Sequence, residues 1–221
     1  MNIGIYGAGG FGREIFEMIP KSNLAYNAFK LFFIDDFRIQ NQLILGVECL
    51  TLQEFQEQSL DSKIIIAVGA PQLRKLLRER TFEQSIQIRT LISKNSEVSK
   101  FAKLEDGVIV SSGVSIANRS SIGFNTAINL GAIIGHDVHV GSDSSISSQV
   151  NIGGGSSIGS GTYIGMGTLV REGLTIGSNS IVGMGSVVFH DIPDGVVAVG
   201  NPARVVKKNE SGIEFGNPNL N

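Results

Sequence analysis

The sequence predicts an α/β domain of Rossmann-like βαβαβ order, followed by a parallel β-helix of hexapeptide repeats. The β-helix prediction depends on an aliphatic residue that recurs at every sixth position from Val98 to Val188, sixteen times without a miss. An α-helix has about 3.6 residues per turn and would scatter these residues around its axis, whereas a repeat of short strands stacks them. The α/β prediction depends on the alternation of apolar runs with helical segments before this series.

The first domain, predicted as residues 1–93, alternates strands and helices along the chain. Apolar runs predict strands over 2–6, 31–34, 63–68 and 86–92, and helical patterns predict helices over 13–19, 51–58 and 72–82. Thr51 is the expected N-cap of the second helix, with Glu54 completing a capping box. The alternation implies a parallel sheet. Because the domain has room for only one mononucleotide-binding half, we expect a nucleotide or nucleotide-sugar site rather than an NAD site.

The second domain, predicted as residues 94–210, is a triangular prism in which three hexads make one coil. Residues eighteen apart are therefore expected to stack, on coils about 4.8 Å apart. The recurrent aliphatic residue points inward, and the ninety-six residues of the series make slightly over five coils. Residues 211–221 are rich in Gly, Asn and Pro and are predicted to form a mobile tail.

Composition excludes several classes of partner and location. The formal net charge is −2 with no long basic run, so neither a nucleic acid nor an anionic membrane is an expected partner. The single cysteine, Cys49, permits no internal disulfide and indicates a reducing compartment. The N-terminus does not resemble a signal peptide, and no apolar run approaches the roughly 18 residues that span a bilayer. These features predict a soluble cytoplasmic protein.

The candidate chemistry lies at one turn of the β-helix, Gly135-His136-Asp137. A free imidazole has a pKa of about 6.5, so a histidine at this turn is able to take a proton from an attacking amine or hydroxyl. Asp137 is placed to orient the ring. Gly154 follows His136 by eighteen residues, and its N–H is the expected donor to a thioester oxygen on the adjacent coil.

A metal site is the rival interpretation, because γ-class carbonic anhydrases are hexapeptide-repeat proteins that bind zinc through histidines. His136 and His190 are fifty-four residues apart. That separation is three coils, or roughly 14 Å, whereas zinc–nitrogen bonds are about 2.1 Å long. His139 belongs to the same hexad as His136 and points elsewhere. No metal is therefore expected within one chain, although a zinc site that bridges subunits stays open.

The whole chain resembles the NeuD/PglD-type sugar acetyltransferases. The resemblance is carried by Gly7-Ala8-Gly9-Gly10-Phe11-Gly12, the repeats, the Gly135-His136-Asp137 turn and the ending Gly200-Asn201-Pro202-Ala203. It implies a left-handed β-helix and a homotrimer with its active sites at the subunit interfaces. Acetyl-CoA is the implied co-substrate, and it lies along the prism between neighbouring subunits.

The resemblance also implies roles for individual residues. His136 is the general base, Asp137 follows it, and Asn129 lies near the sugar. The residues implied to contact acetyl-CoA are Ser145, Gly154, Met166 and Met184. In the nucleotide domain, Gly9, Gly10 and Phe11 would approach the diphosphate, Asp35 and Asp36 end a strand where a carboxylate binds ribose hydroxyls, and Gly69 lies beside the base.

The function that these features predict is acetyl-CoA-dependent N-acetylation of a nucleotide-linked amino sugar of the 4-amino-4,6-dideoxyhexose class. The product would enter surface polysaccharide or glycan synthesis, such as that of lipopolysaccharide O-antigen. The amine attacks the thioester directly, with His136 as base. Three alternatives stay open: O-acetylation of a sialic-acid-type sugar, a zinc-dependent hydratase, and a nucleotide-binding scaffold without activity. The sequence leaves the nucleotide open among UDP, dTDP and GDP.

Overall fold

A computed structural model describes residues 1–24, 29–37, 43–58 and 61–213 of the chain. They form an α/β domain and a left-handed parallel β-helix, as predicted. Of the predicted tail, only residues 211–213 lie within the described residues, and 214–221 lie outside them. None of the helices in the described ranges has the length and apolar character needed to cross a membrane.

The α/β domain contains a six-stranded sheet of order β3-β4-β2-β1-β5-β6. Its strands are β1 Asn2–Tyr6, β2 Lys30–Ile34, β3 Leu43–Ile44, β4 Val47–Leu50, β5 Ser62–Ile66 and β6 Gln87–Ile88. Its helices are α1 Gly10–Met18, α2 Leu52–Gln58 and α3 Pro71–Glu83, and a 3-10 turn Ile19–Lys21 follows α1. All neighbouring strands are parallel except β3 and β4, which pair antiparallel.

Both faces of this sheet are covered, as is usual for parallel sheets. Ile3, Ile5 and Ile65 pack in one apolar cluster together with α1. Phe32 and Ile64 pack in a second cluster on the opposite face with α2 and α3. These strands are therefore continuous apolar runs rather than alternating ones.

The capping box at the start of α2 is confirmed. Thr51 Oγ1 accepts a hydrogen bond from the Glu54 N–H at 3.2 Å, and Glu54 Oε2 accepts one from the Thr51 N–H at 2.7 Å. Each side chain satisfies a backbone donor that the helix geometry leaves without a partner.

The β-helix has three faces, each a parallel sheet of short strands that follow one another in the order A, B, C. Face A contains Leu91–Ile92, Ile109–Val110, Ala127–Ile128, Ser145–Ile146, Tyr163–Ile164, Ile181–Val182 and Val196–Gly200, and ends in the antiparallel strand Ala203–Lys208. Face B contains Glu97–Val98, Ser115–Ile116, Ile133–Ile134, Asn151–Ile152, Leu169–Val170 and Val187–Val188. Face C contains Lys103–Leu104, Ser121–Ile122, His139–Val140, Ser157–Ile158 and Thr175–Ile176. We name the turns between faces corner A/B, corner B/C and corner C/A.

The predicted eighteen-residue stacking is confirmed by the strand register. Ile116 pairs with Ile134, and Ile134 pairs with Ile152. The recurrent aliphatic residues form one apolar cluster inside the prism, with Val98 and Leu104 only partly buried at its first coil. The six-residue spacing therefore predicted both the strand pairs and the core of this domain.

The prediction of one strand over 86–92 was wrong, because this segment is divided between the two domains. Ile88 pairs with Ile64 in the α/β sheet, whereas Leu91 begins face A beside Ile109. The backbone changes partner within two residues, since the Arg89 N–H donates to the Ile64 carbonyl and the Leu91 N–H donates to the Val108 carbonyl. No flexible linker separates the domains, and the first coil continues directly from the sheet.

The hairpin of β3 and β4 was not predicted. Its turn residues Leu45 and Gly46 both have positive φ, at 50° and 78°, which is the geometry of the tight turns that join antiparallel strands.

The α/β domain covers face A of the prism. The outward side chains of Ile109 and Ala127 belong to the same buried cluster as Ile3 and Ile5 of the central strand. This contact brings the ends of β1 and β5, and the starts of the helices that follow them, close to corner A/B.

Candidate active site

His136 lies at corner B/C, immediately after the face B strand Ile133–Ile134. Its side chain is 67% exposed, and Nδ1 lies 2.7 Å from Oδ2 of Asp137. Asp137 has a φ of +58°, so the turn carries its carboxylate back toward the ring. With Nδ1 held by the carboxylate, Nε2 is the ring nitrogen available to a substrate.

Arg119 holds the other oxygen of the same carboxylate. It lies eighteen residues before Asp137, one coil away, and its Nε is 2.6 Å from Oδ1. Hydrogen bonds from Arg119, and then from His136, lower the pKa of Asp137 below its ordinary value. Arg119 was not predicted from the sequence, although its eighteen-residue spacing from Asp137 was a sufficient signal.

Gly154 lies directly over the His136 ring, one coil further on. The Gly155 N–H donates to the His136 carbonyl at 2.8 Å, which confirms the predicted stacking. A Cβ at position 154 would lie 2.7 Å from both Cε1 and Nε2 of the imidazole, so a side chain here would displace the ring. Among the described residues, no acceptor is recorded for the Gly154 N–H. Its role as a donor to a thioester remains a prediction.

A cavity of about 990 Å³ lies between the α/β domain and corner A/B. It is lined by the start of α1, by the segment after β5, by α3 and by three coils of the β-helix: Gly9, Gly10, Phe11, Glu14, Ala67, Val68, Gly69, Ala70, Gln72, Leu73, Asn129, Ser147, Ser148, Tyr163, Met166 and Ile213. It thus brings the predicted nucleotide residues Gly9, Gly10, Phe11 and Gly69 together with Asn129 and Met166. Glu14, Gln72 and Tyr163 also line it, and they were not predicted because no motif or period in the sequence marks them.

The start of α1 is open to a ligand. A Cβ on Gly9 or on Gly10 would meet no atom within 4 Å, so space lies directly beside this backbone. The free N–H groups and the positive end of the helix dipole at such a position favour a phosphate or another anion.

The structure does not bring Asn129 and His136 together within one chain. Asn129 lies at corner A/B and lines the cavity, whereas His136 lies at corner B/C and does not. The face B strand Ile133–Ile134 separates them. Asn129 Oδ1 is buried and has no hydrogen-bond partner among the described residues, so an acceptor is available beside the cavity.

Met166 and Met184 stack as expected. The Gly185 N–H donates to the Met166 carbonyl at 2.8 Å, and the two side chains are 54% and 78% exposed at corner A/B. Such exposed thioether side chains, one above the other, form an apolar track that continues upward from the cavity.

Ser145 occupies a different environment from the other predicted acetyl-CoA residues. It lies on face A between Ala127 and Tyr163, beneath the α/β domain, and is 1% exposed. Its Oγ has no partner among the described residues. It does not line the cavity.

Asp35 and Asp36 also lie outside the cavity lining. The Asp36 carboxylate accepts hydrogen bonds from the Tyr6 hydroxyl, from the Leu52 N–H at 2.9 Å and from Arg80 at 3.2 Å. Burial, followed by the hydrogen bond to Asp36, raises the pKa of Tyr6. Asp35 accepts the Phe37 N–H at 3.1 Å. These contacts occupy Asp36 in joining β1, α2 and α3.

A metal centre has no visible candidate in the parts of the chain that the structure describes. There, no group of three or more His, Cys, Asp or Glu side chains is arranged to hold an ion.

Two family models match the chain, one in each domain. The PglD N-terminal domain matches residues 2–81, and the six-repeat bacterial transferase hexapeptide matches residues 155–190. The chain is therefore similar in both of its domains to the NeuD/PglD-type sugar acetyltransferases. These similarities support an acyltransferase, and the PglD-type domain corresponds to the α/β domain beside the cavity.

Several solved structures match nearly the whole chain. A histidine-to-asparagine mutant of perosamine N-acetyltransferase from Caulobacter crescentus, in complex with CoA and GDP-perosamine, is 29% identical with a TM-score of 0.84, and the match covers 94% of this chain and 98% of that one. The acetyltransferase domain of PglB from Neisseria gonorrhoeae, in complex with acetyl coenzyme A, is 26% identical with a TM-score of 0.85 over 93% and 98%. WeeI from Acinetobacter baumannii is 27% identical with a TM-score of 0.85 over 93% and 100%. No curated protein sequence matched this chain.

Proposed function

We propose that this sugar acetyltransferase transfers an acetyl group from acetyl-CoA to the amine of a nucleotide-linked 4-amino-4,6-dideoxyhexose. The observation that carries the proposal is the pairing of His136 with Asp137 on a β-helix whose neighbouring cavity begins at an open helix N-terminus. Relatives of the same length support it, because one was crystallised with CoA and GDP-perosamine and another with acetyl coenzyme A.

The cavity fits a nucleotide sugar by size and by the chemistry of its two ends. At one end, the N–H groups beside Gly9 and Gly10 face the space where a diphosphate would bind, and Phe11 offers an aromatic ring. At the other end, the Asn129 amide offers an acceptor for an amine or hydroxyl of the sugar. Gly69 lies beside the nucleoside in this arrangement.

The acyl transfer uses His136 as a general base. As the amine nitrogen forms its bond to the acetyl carbonyl carbon, His136 Nε2 accepts the proton that the nitrogen loses, and the carbon–sulfur bond breaks to release CoA. Asp137 holds Nδ1 and stabilises the imidazolium that results. The Gly154 N–H is the donor that stabilises the carbonyl oxygen during attack. No nucleophilic side chain of this protein takes the acetyl group.

The active site is completed by a second subunit. Since Asn129 lies at corner A/B and His136 at corner B/C, a cyclic assembly that sets these corners side by side joins the cavity of one subunit to the base of the next. The exposed apolar residues on this side support such a contact: Leu130, Ile133, Met166, Leu169 and Met184. We propose a homotrimer, with acetyl-CoA along Met166 and Met184 between subunits, working in the cytoplasm in surface-polysaccharide synthesis.

Steady-state assays with acetyl-CoA test this function. Acceptors are the UDP-, dTDP- and GDP-linked 4-amino-4,6-dideoxyhexoses and the same sugars with a hydroxyl at C4, and the measurement is CoA release with mass spectrometry of the product. We expect acetylation of an amino acceptor and none of its hydroxyl counterpart. Faster reaction with the hydroxyl acceptor would overturn the proposal of N-acetylation. If the protein sediments as a monomer and is still active, the proposal of an active site shared between subunits would be overturned.

A further inference from the structure

Arg74, on the first turn of α3, is a buried charge that the proposed reaction does not use. Its side chain is fully buried. Nε donates to the Asn125 carbonyl at 2.8 Å, Nη1 donates to the Ile66 and Val68 carbonyls at 3.0 and 2.9 Å, and Nη2 donates to Asn125 Oδ1 at 3.1 Å. Four of the five guanidinium N–H groups therefore donate hydrogen bonds, two to the α/β domain and two to the β-helix. A buried guanidinium held in this way is directional and rigid.

The contacts of Arg74 are part of a larger network that joins α3 to corner C/A. The Asn125 amide donates back to the Arg74 carbonyl at 3.1 Å and to Asp143 Oδ1 at 2.7 Å. Arg78, one turn further along α3, binds both oxygens of Asp143, at 3.0 and 2.9 Å. Burial lowers the pKa of Arg74 to about 10, partly opposed by the charge of Asp143. At neutral pH Arg74 therefore carries its charge. We name Arg74, Arg78, Asn125 and Asp143 the inter-domain clamp.

The clamp is connected to both sides of the substrate cavity. On the α/β side, the Ile66 and Val68 carbonyls flank the start of the cavity-lining segment 67–70. On the β-helix side, Asn125 precedes the strand Ala127–Ile128, and Asn129 at the other end of that strand lines the cavity. Four residues of extended chain, the separation of Asn125 and Asn129, span roughly 13 Å. Because the strand between them is paired on both sides, a shift of Asn125 also shifts Asn129. In the next coil, Asp143 and the cavity residue Ser147 flank the strand Ser145–Ile146 in the same way.

We propose that Arg74 is a positioning residue, which fixes the nucleotide-binding segment 67–70 at a set distance from the sugar end of the cavity at Asn129. This inference rests on the proposed function for its kinetic consequence. With the clamp broken, each domain still binds its own part of the substrates, but the sugar amine no longer lies where the acetyl group is transferred. A misplacement of about 1 Å at a reacting centre reduces turnover about 10²-fold.

The test compares Arg74→Met with Leu77→Ala, a matched control on the same helix. Leu77 is buried in the α/β core and its aliphatic side chain makes no hydrogen bond, so its truncation destabilises the fold without removing a hydrogen bond of the clamp. Both variants are assayed below their melting temperatures. We expect Arg74→Met to lower kcat at least tenfold while the Kd values of GDP, UDP and CoA stay near those of the native protein. Arg74→Lys recovers part of kcat, and Leu77→Ala keeps the native kcat despite a lower Tm.

Equal losses of kcat in Arg74→Met and Leu77→Ala at equal Tm would overturn the proposal, since Arg74 would then act only through stability. If Arg74→Met does not fold, Asn125→Gly replaces it, because glycine keeps the left-handed backbone at φ 54° and removes all three hydrogen bonds of the Asn125 side-chain amide. Hydrogen exchange of amides 67–70 gives a readout independent of turnover. Faster exchange in Arg74→Met than in Leu77→Ala supports the clamp even if the native protein acetylates none of the amino sugars tested. Equal exchange, in turn, excludes the clamp.

Discussion

The β-helix repeats its contacts, whereas the α/β domain makes each contact once. In the β-helix, every inward position has an equivalent one coil away, and these repeated apolar residues form the core. The stability of the fold therefore depends little on the side chain at any single turn. At corner B/C, residues eighteen apart stack in a vertical row that we call a file: Asn118, His136, Gly154 and Glu172, each coil joined to the next by the same backbone hydrogen bond at the turn. A side chain that differs from the others in its file is therefore a candidate for a catalytic or binding role.

In the α/β domain the same inference is weaker, because a polar residue often has a structural use that occurs only once. Asp36 illustrates this point. Its position at the end of a strand predicts a ribose contact, but Tyr6, Leu52 and Arg80 occupy its carboxylate. Motif position alone does not separate binding from structure where there is no repeat for comparison.

The largest expected effect tests whether His136, which differs from the other side chains stacked at corner B/C, is catalytic. His136→Ala should lower kcat by about 10² to 10⁴, because the amine loses its general base. His139 belongs to the same hexad but lies on a face C strand beside Ser121. His139→Ala should leave kcat unchanged in the same steady-state assay. Similar losses in both variants would contradict the assignment of His136.

Gly154→Ala tests the coupling between successive coils. The new Cβ would lie 2.7 Å from the His136 ring, so the imidazole must move, and we expect kcat to fall by about 10². The control is the same substitution in the His136→Ala background, where no further loss is expected. An additional loss there would show that Gly154 acts by a route other than His136.

A third test measures the stability of variants at Ile146 and Ser145, two adjacent residues of one face A strand, and at Ile65 of the α/β sheet. Ile146 is fully buried inside the prism, and Ile146→Ala should lower the free energy of unfolding by about 2–5 kcal/mol in urea titration. Ile65→Ala in the α/β sheet should cost a similar amount. Ser145→Ala should leave stability unchanged or raise it by about 1 kcal/mol, because its hydroxyl has no partner among the described residues. A large loss in Ser145→Ala would reveal a contact of Ser145 that stabilises the fold.

The smallest expected effect concerns Arg119. Arg119→Met removes the main cause of the low pKa of Asp137, so that pKa should rise toward its ordinary value. A carboxylate with a lowered pKa stays charged to more acidic pH, and the acidic limb of kcat/KM should therefore shift to higher pH in the variant. Near neutral pH the change should be only a few-fold. Carbon NMR titration of Asp137 measures the pKa directly, and Arg119→Lys should retain most of the shift.

The sequence predicted the structure correctly where hydrogen bonding enforces a period. Each coil must stack on the last, so the spacing predicted the strand pairs, the core and the position of Gly154 over His136. The same spacing was sufficient to predict two further features. Arg119 lies eighteen residues before Asp137, and the seven-residue step from Asn129 to His136 exceeds one hexad, which already separates their corners.

The remaining features depend on contacts without a period. The apolar run over 86–92 contains no signal for its change of partner, because Ile88 and Leu91 suit either sheet equally well. The pairing of Arg74 with Asn125 spans fifty-one residues and follows no repeat. Only the packing of α3 against a particular corner makes it possible, and no local pattern encodes that packing.

The hairpin at the far end of face A affects whether another chain is able to pair with that edge of the sheet. A stack of parallel coils leaves unpaired backbone at its end, and an exposed sheet edge invites pairing with another molecule. Here the strand Val196–Gly200 turns back, and the antiparallel strand Ala203–Lys208 becomes the outer strand of the sheet. Its residues after Ala203 are exposed and include Arg204, Lys207 and Lys208. Like charges on this edge disfavour the pairing of a second prism with the end of face A.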